Sequence, residues 1–349
     1  MHKIISISSI AVLLFALPAI ALAGTDREHL DSIAKKDRVN EAVDKGLAYL
    51  VSQQDLVSGT FKGDMPNAYT ALSCMALMAA GHLPGRSHYG DNLRRGIMHL
   101  VRATKSHNGY LGQEGNARMY GHGICTLALC EAYGMMEEER DNALIKEALG
   151  RAIKVIINAQ AKNGAHAGGW RYDPKPNDAD LSVAAWQVLA LRSAQNCQLE
   201  VPEKTIADAI AYIRRSYTPA HKGFSYQQGG SSSLAMRSAG LVCMNALGLT
   251  EDEKDKAMIH SAAEPLLTLD PKSGSHFYYQ TYYVATAANM AGEKYRDSLL
   301  PKIESILMDL QLPTGEFRKH SGHAGGVYST AFSVISLCVR YQFLPIYQE

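Results

Sequence analysis

Hydrophobic positions along the chain define two kinds of helical segment. The first kind carries apolar residues at helical spacing between charged and amide residues, in six segments around 47–51, 97–101, 153–157, 206–213, 257–269 and 303–310. The second kind is apolar or small nearly all round, in six segments at 68–80, 121–133, 181–194, 235–247, 279–291 and 328–341. The first pattern is typical of a helix with one face in water, and the second of a helix enclosed by neighbours.

A glycine-aromatic loop joins the two segments of each pair. The loop aromatics are Phe61, Tyr110, Trp170, Phe224, Phe277 and Phe317. Their spacing of about 50 residues indicates a repeated helical pair. We therefore predict an all-α fold, an α/α toroid with six inner and six outer helices. An open array of helical pairs is the alternative, but such an array has polar terminal repeats, and the last segment here is as apolar as the middle ones.

The ends of the enclosed segments carry further information. Gly81, Gly134, Gly248 and Gly292 follow four of them and are suited to left-handed helix caps. The fifth pair is the weakest, because Pro265 interrupts its outer segment. In a toroid, all connections from outer to inner helices lie on one rim. We therefore expect the functional site at the mouth that these loops surround.

The first 23 residues have the pattern of a secretory signal. Lys3 precedes an apolar stretch, and Ala21-Leu22-Ala23 resembles a cleavage site. This predicts an exported protein, periplasmic or secreted, with one toroid domain at 24–349 and no stable membrane span after cleavage. An uncleaved membrane anchor is the alternative, because the stretch is long enough to cross a bilayer.

Charge and cysteine content exclude several classes. Lys and Arg total 35 against 34 Asp and Glu, without a block of one sign, so we expect no nucleic-acid partner. The six cysteines lie in or beside apolar segments, at spacings that fit neither a disulfide framework nor a zinc motif. They are interpreted as core thiols, and no metal or cofactor is predicted.

The repeats resemble those of the terpenoid cyclase and protein prenyltransferase superfamily. The similarity is clearest from Ile157-Asn158-Ala159-Gln160 through Gly169-Trp170, a QW-like repeat. The segments 168–172, 178–183 and 344–348 are similar to exported bacterial proteins of unassigned activity that carry prenyltransferase and squalene oxidase repeats. The resemblance implies a toroid around an isoprenoid site.

Squalene-type cyclases of that superfamily protonate an alkene with the middle acid of an Asp-x-Asp-Asp motif. Asp178 and Asp180 match the first two acids, whereas Leu181 replaces the third. A neutral buried acid and aromatic faces that stabilise a carbocation are the physical requirements of this chemistry. Prenyltransferases instead use an Asp, Cys and His zinc site. The sequence has no Asp-x-Cys pair for it.

Candidate site residues fall at or near the starts of the enclosed segments. The candidate catalytic residues are Asp180, Asp178 and His122. The candidate substrate-binding residues are Trp170, Tyr172, Trp186, Tyr69, Tyr120, Arg237, Tyr279 and Tyr282. Each also has a structural interpretation: helix capping for the aspartates, core packing for the aromatic residues and His122, and an internal ion pair, with Asp180 for example, for Arg237.

Three functions are compatible with these residues. The first is a terpenoid-cyclase-like protein that binds, and in its catalytic form cyclises, an isoprenoid or other small lipid-like ligand. The second is a non-catalytic extracytoplasmic module that binds a peptide, a glycan or a partner protein. The third is a carbohydrate-active enzyme. The 18 Tyr against 7 Phe favour an oxygenated ligand over squalene. Whether the protein is an enzyme stays open at this point.

Overall fold

The computed structural model describes residues 25–113, 118–175, 177–268, 270–272, 274, 276–320 and 325–347, with side chains from residue 38 onward. The predicted signal at 1–23 lies outside the described residues. The chain divides into two compact units, 1–38 and 39–349. The described residues of the first unit are helical.

The described residues form twelve α-helices. They are α1 (Thr25–Ser52), α2 (Pro66–Ala79), α3 (Gly90–Ser106), α4 (Arg118–Ala132), α5 (Glu139–Ala159), α6 (Leu181–Asn196), α7 (Glu203–Ser216), α8 (Leu234–Ala246), α9 (Glu253–Ala263), α10 (Phe277–Met290), α11 (Glu293–Leu310) and α12 (Val327–Cys338). The even-numbered helices are almost entirely buried, whereas the odd-numbered ones have one buried face. This alternation confirms the two predicted kinds of segment.

The six inner helices close into a ring. Each even-numbered helix packs against the next, and α12 packs against α2. The closure explains why the last helix is as apolar as the others: it has inner neighbours on both sides, as every member of a ring does. The predicted α/α toroid with six inner and six outer helices is therefore confirmed.

Ion pairs join neighbouring outer helices. Arg94 on α3 reaches the buried Asp141 on α5, with Nη2 2.6 Å from Oδ2. Arg214 on α7 binds Asp255 on α9 in bidentate fashion, at 2.9 and 2.5 Å. Both aspartates lie near the start of their helix, where negative charge also complements the helix dipole.

Three glutamines connect the loops to the next outer helix. Gln54, Gln160 and Gln311 each donate from Nε2 to a glycine carbonyl of their own loop. Each Nε2 also donates to a carbonyl of the following outer helix, that of Asn92, Thr205 or Ala42 respectively. The first two bonds join α1 to α3 and α5 to α7, and the last joins α11 to α1, so the same contact is found where the outer layer closes.

Helix ends follow the predicted signals. Gly81, Gly134, Gly248 and Gly292 all have φ between 69° and 98°, the left-handed region that favours glycine. The interrupted fifth outer segment ends as α9 at Ala263 and continues as a 3₁₀ turn, Glu264–Leu267, in which Pro265 lies. The fourth loop holds a short antiparallel ribbon, Tyr217–Thr218 with Gly223–Phe224, that the helical pattern did not predict.

A C-terminal strap, residues 342–347, lies at the end of the ring away from the glycine-aromatic loops. Leu344 and Ile346 are buried, and the Ile346 N–H donates to Glu131 near the end of α4 at 3.2 Å. Among the helices of the described residues, none has the length and hydrophobicity needed to cross a membrane.

Candidate functional site

The site is built around the first turn of α6. Asp180 precedes the helix in extended backbone and caps it, its Oδ1 accepting from the Val183 N–H at 3.0 Å. Two loops are fastened at the same point, because the Asp180 N–H donates to the Trp170 carbonyl and the Leu181 N–H donates to the Tyr226 carbonyl. The third and fourth loops therefore meet above the start of α6.

Arg171 connects these two loops electrostatically. Its Nη1 lies 2.5 Å from Oδ2 of the fully buried Asp180, and its Nε lies 3.3 Å from Oδ1 of Asp178. Nη1 also donates to the Tyr226 hydroxyl. The guanidinium lies 4.2 Å from the ring centre of Tyr172, a cation–π contact. Although burial lowers the pKa of Arg171, its hydrogen bonds to Asp180 and Tyr226 raise it above the usual value.

Hydroxyl groups extend this network across the mouth. Tyr172 and Tyr226 share a hydrogen bond of 2.6 Å between their hydroxyl oxygens. Ser182 donates to Asp180 Oδ1 at 2.5 Å and shares a bond with the Tyr120 hydroxyl. The network thus links the starts of α4 and α6 to both loops. We define the rim cluster as nine residues: Tyr120, Arg171, Tyr172, Asp178, Asp180, Ser182, Tyr226, Gln227 and Tyr279.

Gln227 and Tyr279 complete the rim cluster. Gln227 Nε2 donates to Asp178 Oδ2 at 3.2 Å. The Tyr279 hydroxyl, from α10 on the far side of the ring, donates to the Ser182 carbonyl at 3.2 Å. Burial raises the pKa of Tyr120, Tyr226 and Tyr279 above the usual value, and the charge of Asp180 raises each further. These phenols therefore stay neutral at physiological pH, as both donors and acceptors.

Partial exposure identifies the open side of the cluster. Tyr120 and Tyr279 keep accessible surface although they stand on inner helices whose neighbouring positions are buried. Arg171, Tyr172, Asp178 and Tyr226 are also partly exposed. Because these residues lie at the starts of inner helices and in the loops above them, their exposed faces are the ones that a ligand entering the mouth would meet.

An aromatic floor lies below the rim cluster. Trp186 stacks on Tyr282 with ring centres 5.3 Å apart, and Tyr282 contacts Phe332 at 5.5 Å. All three are fully or almost fully buried. Tyr279 joins the floor to the rim through Tyr283, at 4.9 Å. The interior of the ring is thus filled with aromatic side chains at this level.

Tyr69 lies on the far side of the same mouth. Its hydroxyl donates to Asp64 at 2.9 Å, and its ring lies 6.1 Å from that of Tyr328. Tyr328 contacts Phe332 at 4.9 Å, so Tyr69 is connected to the floor through two rings. The structure therefore brings six predicted residues to this mouth, with Tyr282 and Trp186 in the floor beneath them: Tyr69, Tyr120, Tyr172, Asp178, Asp180 and Tyr279.

Three predicted residues lie elsewhere. Trp170 is fully buried, and its indole N–H donates to the Ile156 carbonyl of α5 at 2.8 Å, so it packs between the layers. His122 is fully buried between two backbone groups: Nδ1 accepts from the Leu111 N–H, and Nε2 donates to the Ala152 carbonyl. Burial lowers its pKa to about 4, so it is a neutral core histidine with both nitrogens occupied.

Arg237 does not form the ion pair with Asp180 that the sequence suggested for it; its partners are backbone carbonyls. Its guanidinium donates to the carbonyls of Lys222 and His221, with Nη2 3.0 Å from the latter. Arg237 thereby holds the fourth loop against α8. The partner of Asp180 is instead Arg171.

Sequence reasoning missed Arg171, Tyr226 and Gln227 as site residues. Arg171 stands next to Trp170 in the repeat, but nothing in its spacing indicates that it reaches both aspartates. Tyr226 and Gln227 follow Phe224 in the next loop, so an alignment of Phe224 with Trp170 would have matched Tyr226 to Tyr172 and Gln227 to Asp173. Across the described residues, no three His, Cys, Asp or Glu side chains converge as a metal site requires.

The geometry around Asp180 limits what it can do. Oδ1 accepts from Val183 and Ser182, and Oδ2 accepts from Arg171. A general acid must instead direct its own proton at the reacting atom. The aspartates also share one arginine, whereas glycosidase carboxylates flank the bond to be cleaved. The arrangement is suited to holding two loops and to presenting tyrosine faces and hydroxyls.

Similarity to known proteins is found in the fold and not in the sequence. No family model and no curated protein matches the sequence. Among solved structures, an inactive variant of the α-1,6-mannanase GH76A of Salegentibacter sp. HEL1_6, in complex with α-1,6-mannotriose, is similar with a TM-score of 0.64 and 12% identity, over 86% of this chain and 98% of that one.

The second kind of similar structure is the type II terpene cyclase MstE from Scytonema. Its apo form has a TM-score of 0.55 at 14% identity, over 88% of this chain and 100% of that one. A variant in complex with geranylgeranyl dihydroxybenzoate has a TM-score of 0.59 at 14% identity, over 90% and 99%. The chain thus shares the α/α toroid fold of a glycoside hydrolase and of a terpene cyclase.

Proposed function

We propose that the protein is a binding protein whose rim cluster holds a neutral, oxygenated small ligand, with a short sugar chain as the favoured class. The observation that carries the proposal is the partial exposure of Tyr120 and Tyr279 on otherwise buried inner helices. A sugar ring has apolar C–H faces and a margin of hydroxyls. Tyrosine faces and hydroxyls at one mouth complement both.

The charge of the rim cluster supports a neutral ligand. Asp178 and Asp180 bring two negative charges and Arg171 one positive charge, which leaves one net negative charge. A phosphate or carboxylate group would be repelled there.

Trp186, in the aromatic floor, adds a polar group: its indole N–H is buried without a hydrogen-bond partner in the described structure. Such a donor is costly to leave unpaired, so it favours a water molecule or a ligand oxygen nearby.

The test is calorimetric titration with α-1,6-mannotriose and other neutral oligosaccharides, alongside mass spectrometry of small molecules that co-purify with the protein. Tyr120→Phe and Tyr279→Phe each remove one hydroxyl and should weaken binding about 5-fold. Tyr133→Phe is the matched control, because Tyr133 follows the opposite end of α4. Equal affinity of all three variants for a bound sugar, or no binding by any oligosaccharide, would refute the sugar proposal.

An isoprenoid alcohol is the second candidate, and the aromatic floor favours it. Trp186, Tyr282 and Phe332 offer ring faces to a hydrocarbon, while the rim cluster would hold the hydroxyl end. Titration with geranylgeraniol distinguishes this ligand from a sugar. Asp180 has no proton-donor role in either candidate, so incubation with squalene or geranylgeraniol should yield no cyclised product by gas chromatography. A cyclised product that disappears in Asp180→Asn would instead establish a cyclase.

Export is part of the same proposal. The support is the apolar stretch after Lys3 and the small residues at 21–23. Expression in a bacterium with a periplasm, followed by intact mass measurement of the periplasmic protein, tests it. A mature chain that starts at Gly24 is expected, and a cytosolic chain of full mass would contradict it.

A further inference from the structure

Two cysteines meet at the end of the ring away from the rim cluster. Cys130 lies on α4 close to its end, and Cys197 directly follows α6. The Cys197 thiol donates to the Cys130 carbonyl, with the sulfur 3.3 Å from the oxygen. The Cys130 thiol donates to the Ala190 carbonyl of α6, with the sulfur 3.8 Å from the oxygen. All six cysteines are among the described residues, and none takes part in a disulfide in this structure.

We propose that Cys130 and Cys197 are a redox pair that forms a reversible disulfide between the end of α4 and the turn after α6. The geometry supports it because α4 and α6 are adjacent inner helices and the Cys197 sulfur lies 3.3 Å from the backbone carbonyl oxygen of Cys130. A disulfide forms without large backbone movement only between cysteines that are already neighbours.

Disulfide formation needs one accessible, reactive sulfur to attack first and a second sulfur to close the bond. Cys197 is half-buried, whereas Cys130 is buried. The neighbouring Cys130 thiol lowers the pKa of Cys197, although burial acts in the opposite direction, and a lowered pKa favours the thiolate, the attacking species. Burial raises the pKa of Cys130, so it acts second.

The reaction balances with a small-molecule disulfide, such as oxidised glutathione, as the oxidant. The Cys197 thiolate attacks one glutathione sulfur, which forms a mixed disulfide and releases one glutathione. Cys130 then attacks the Cys197 sulfur and displaces the second glutathione, whose thiolate takes up the Cys130 proton. Two protein thiols are oxidised, and one glutathione disulfide is reduced to two thiols.

The other cysteines lack this combination. Cys74, Cys243 and Cys338 are fully or almost fully buried on inner helices, and burial raises the pKa of each thiol. They should therefore not react with glutathione while the protein is folded. They serve as internal controls in the same sample.

The test is equilibration of the purified full chain in glutathione buffers of graded potential, followed by acid quenching, alkylation under denaturing conditions and peptide mass mapping. We expect a linked pair of peptides containing Cys130 and Cys197, a mass loss of two hydrogen atoms, and alkylation of Cys74, Cys243 and Cys338. Stable glutathionylation of Cys197 without the link, a link to another cysteine, or two alkylated thiols at every potential would overturn the proposal.

Variants add a second readout. Oxidation should raise the urea midpoint of the wild-type chain, because the link constrains the unfolded state. Cys197→Ser should abolish both the link and the shift, whereas Cys74→Ala should keep both. A shift that survives in Cys197→Ser would count against the pair. Should Cys197→Ser fail to fold, the peptide map of the wild-type chain still decides.

Discussion

Asp180 shows how one side chain can be both a cap and the anchor of a site. It has no exposed surface, and its three donors come from the helix it caps, from Ser182 and from Arg171. A buried carboxylate is tolerated only when its charge is compensated. Arg171, which remains partly exposed, supplies that charge and carries the loop with it.

Arg171→Met should therefore lower the free energy of unfolding by about 3 kcal/mol, because it leaves the buried Asp180 charge unpaired. Arg192→Met is the control, since Arg192 is an exposed arginine on α6, the helix that Asp180 caps. Urea denaturation of both variants measures the difference. In the double variant Arg171→Met with Asp180→Asn, the loss should be smaller than in Arg171→Met alone, and an additive loss would show that the two residues are not coupled.

Glu131 gives the folding free energy a dependence on pH. It is buried, accepts from Ser193 and from the Ile346 N–H, and has Cys130 and Cys197 as titratable neighbours. Burial raises its pKa from 4.5 to about 7. The folded state therefore binds this proton more tightly than the unfolded state, so stability is highest below the unfolded pKa and is lost as the pH rises toward 7.

Glu131→Gln should remove that loss. Between pH 4.5 and pH 7 the stability of the wild-type chain should fall relative to the variant, by up to about 3 kcal/mol. Chemical denaturation at a series of pH values measures the difference, and Glu138→Gln, an exposed site before α5, is the control. A constant difference between wild type and Glu131→Gln across this range would contradict the assignment.

At the scale of elements, three of the helical pairs are fixed by a glutamine together with the glycine of their loop. Gly168 shows the constraint most clearly: its φ is 86°, and a Cβ there would come within 1.9 Å of the Asp208 carbonyl oxygen on α7. Trp170, from the same loop, is fully buried and donates to the Ile156 carbonyl of α5. The glycine and the tryptophan of this loop therefore belong to the packing of the outer helices and not to the rim cluster.

Gln54→Ala tests one such joint. Gln54 donates to Gly59 and to Asn92 on α3, and accepts from the Asn92 amide at 2.8 Å. Its loss should cost about 2 kcal/mol of unfolding free energy, because the partner groups lose buried hydrogen bonds. Gln53→Ala is a closely matched control, since the neighbouring Gln53 bonds only locally, to Ser52. Equal urea midpoints of the two variants would refute the role of Gln54.

The fold could be predicted from the sequence because its signals are local. Helical spacing separated inner from outer segments, and four glycines marked helix ends. The site depends on contacts distant in the chain, such as Tyr226 with Arg171, which are 55 residues apart. The predicted helix starts brought Asp180 and Tyr120 to the same mouth, but they carried no information on Arg171, whose direction is set by two loops. His122 was also expected at this mouth, yet its ring turns toward the backbone of α5.

At the scale of the molecule, ring closure distinguishes this fold from an open array. In an open array the terminal repeats have one neighbour and unfold first. Here α12 packs against α2, and Gln311 of the last pair donates to Ala42 as Gln160 donates to Thr205. The first and last pairs thus have the same number of neighbours as the others.

Hydrogen exchange should therefore show no fraying at the first and last pairs. The amides of α2 and α12 are expected to exchange through openings of about the same free energy as those of α6 and α8, because every inner helix is held on both sides. Exchange measured by mass spectrometry at the peptide level tests this. Gln311→Ala and Gln160→Ala are the matched pair: in a closed ring both break an equivalent joint and should lower protection by similar amounts. In an open array, Gln311→Ala would affect only the terminal pair and would lower protection less widely than Gln160→Ala. Faster exchange of α12 than of α6 and α8 in the wild-type chain would also contradict an energetically closed ring.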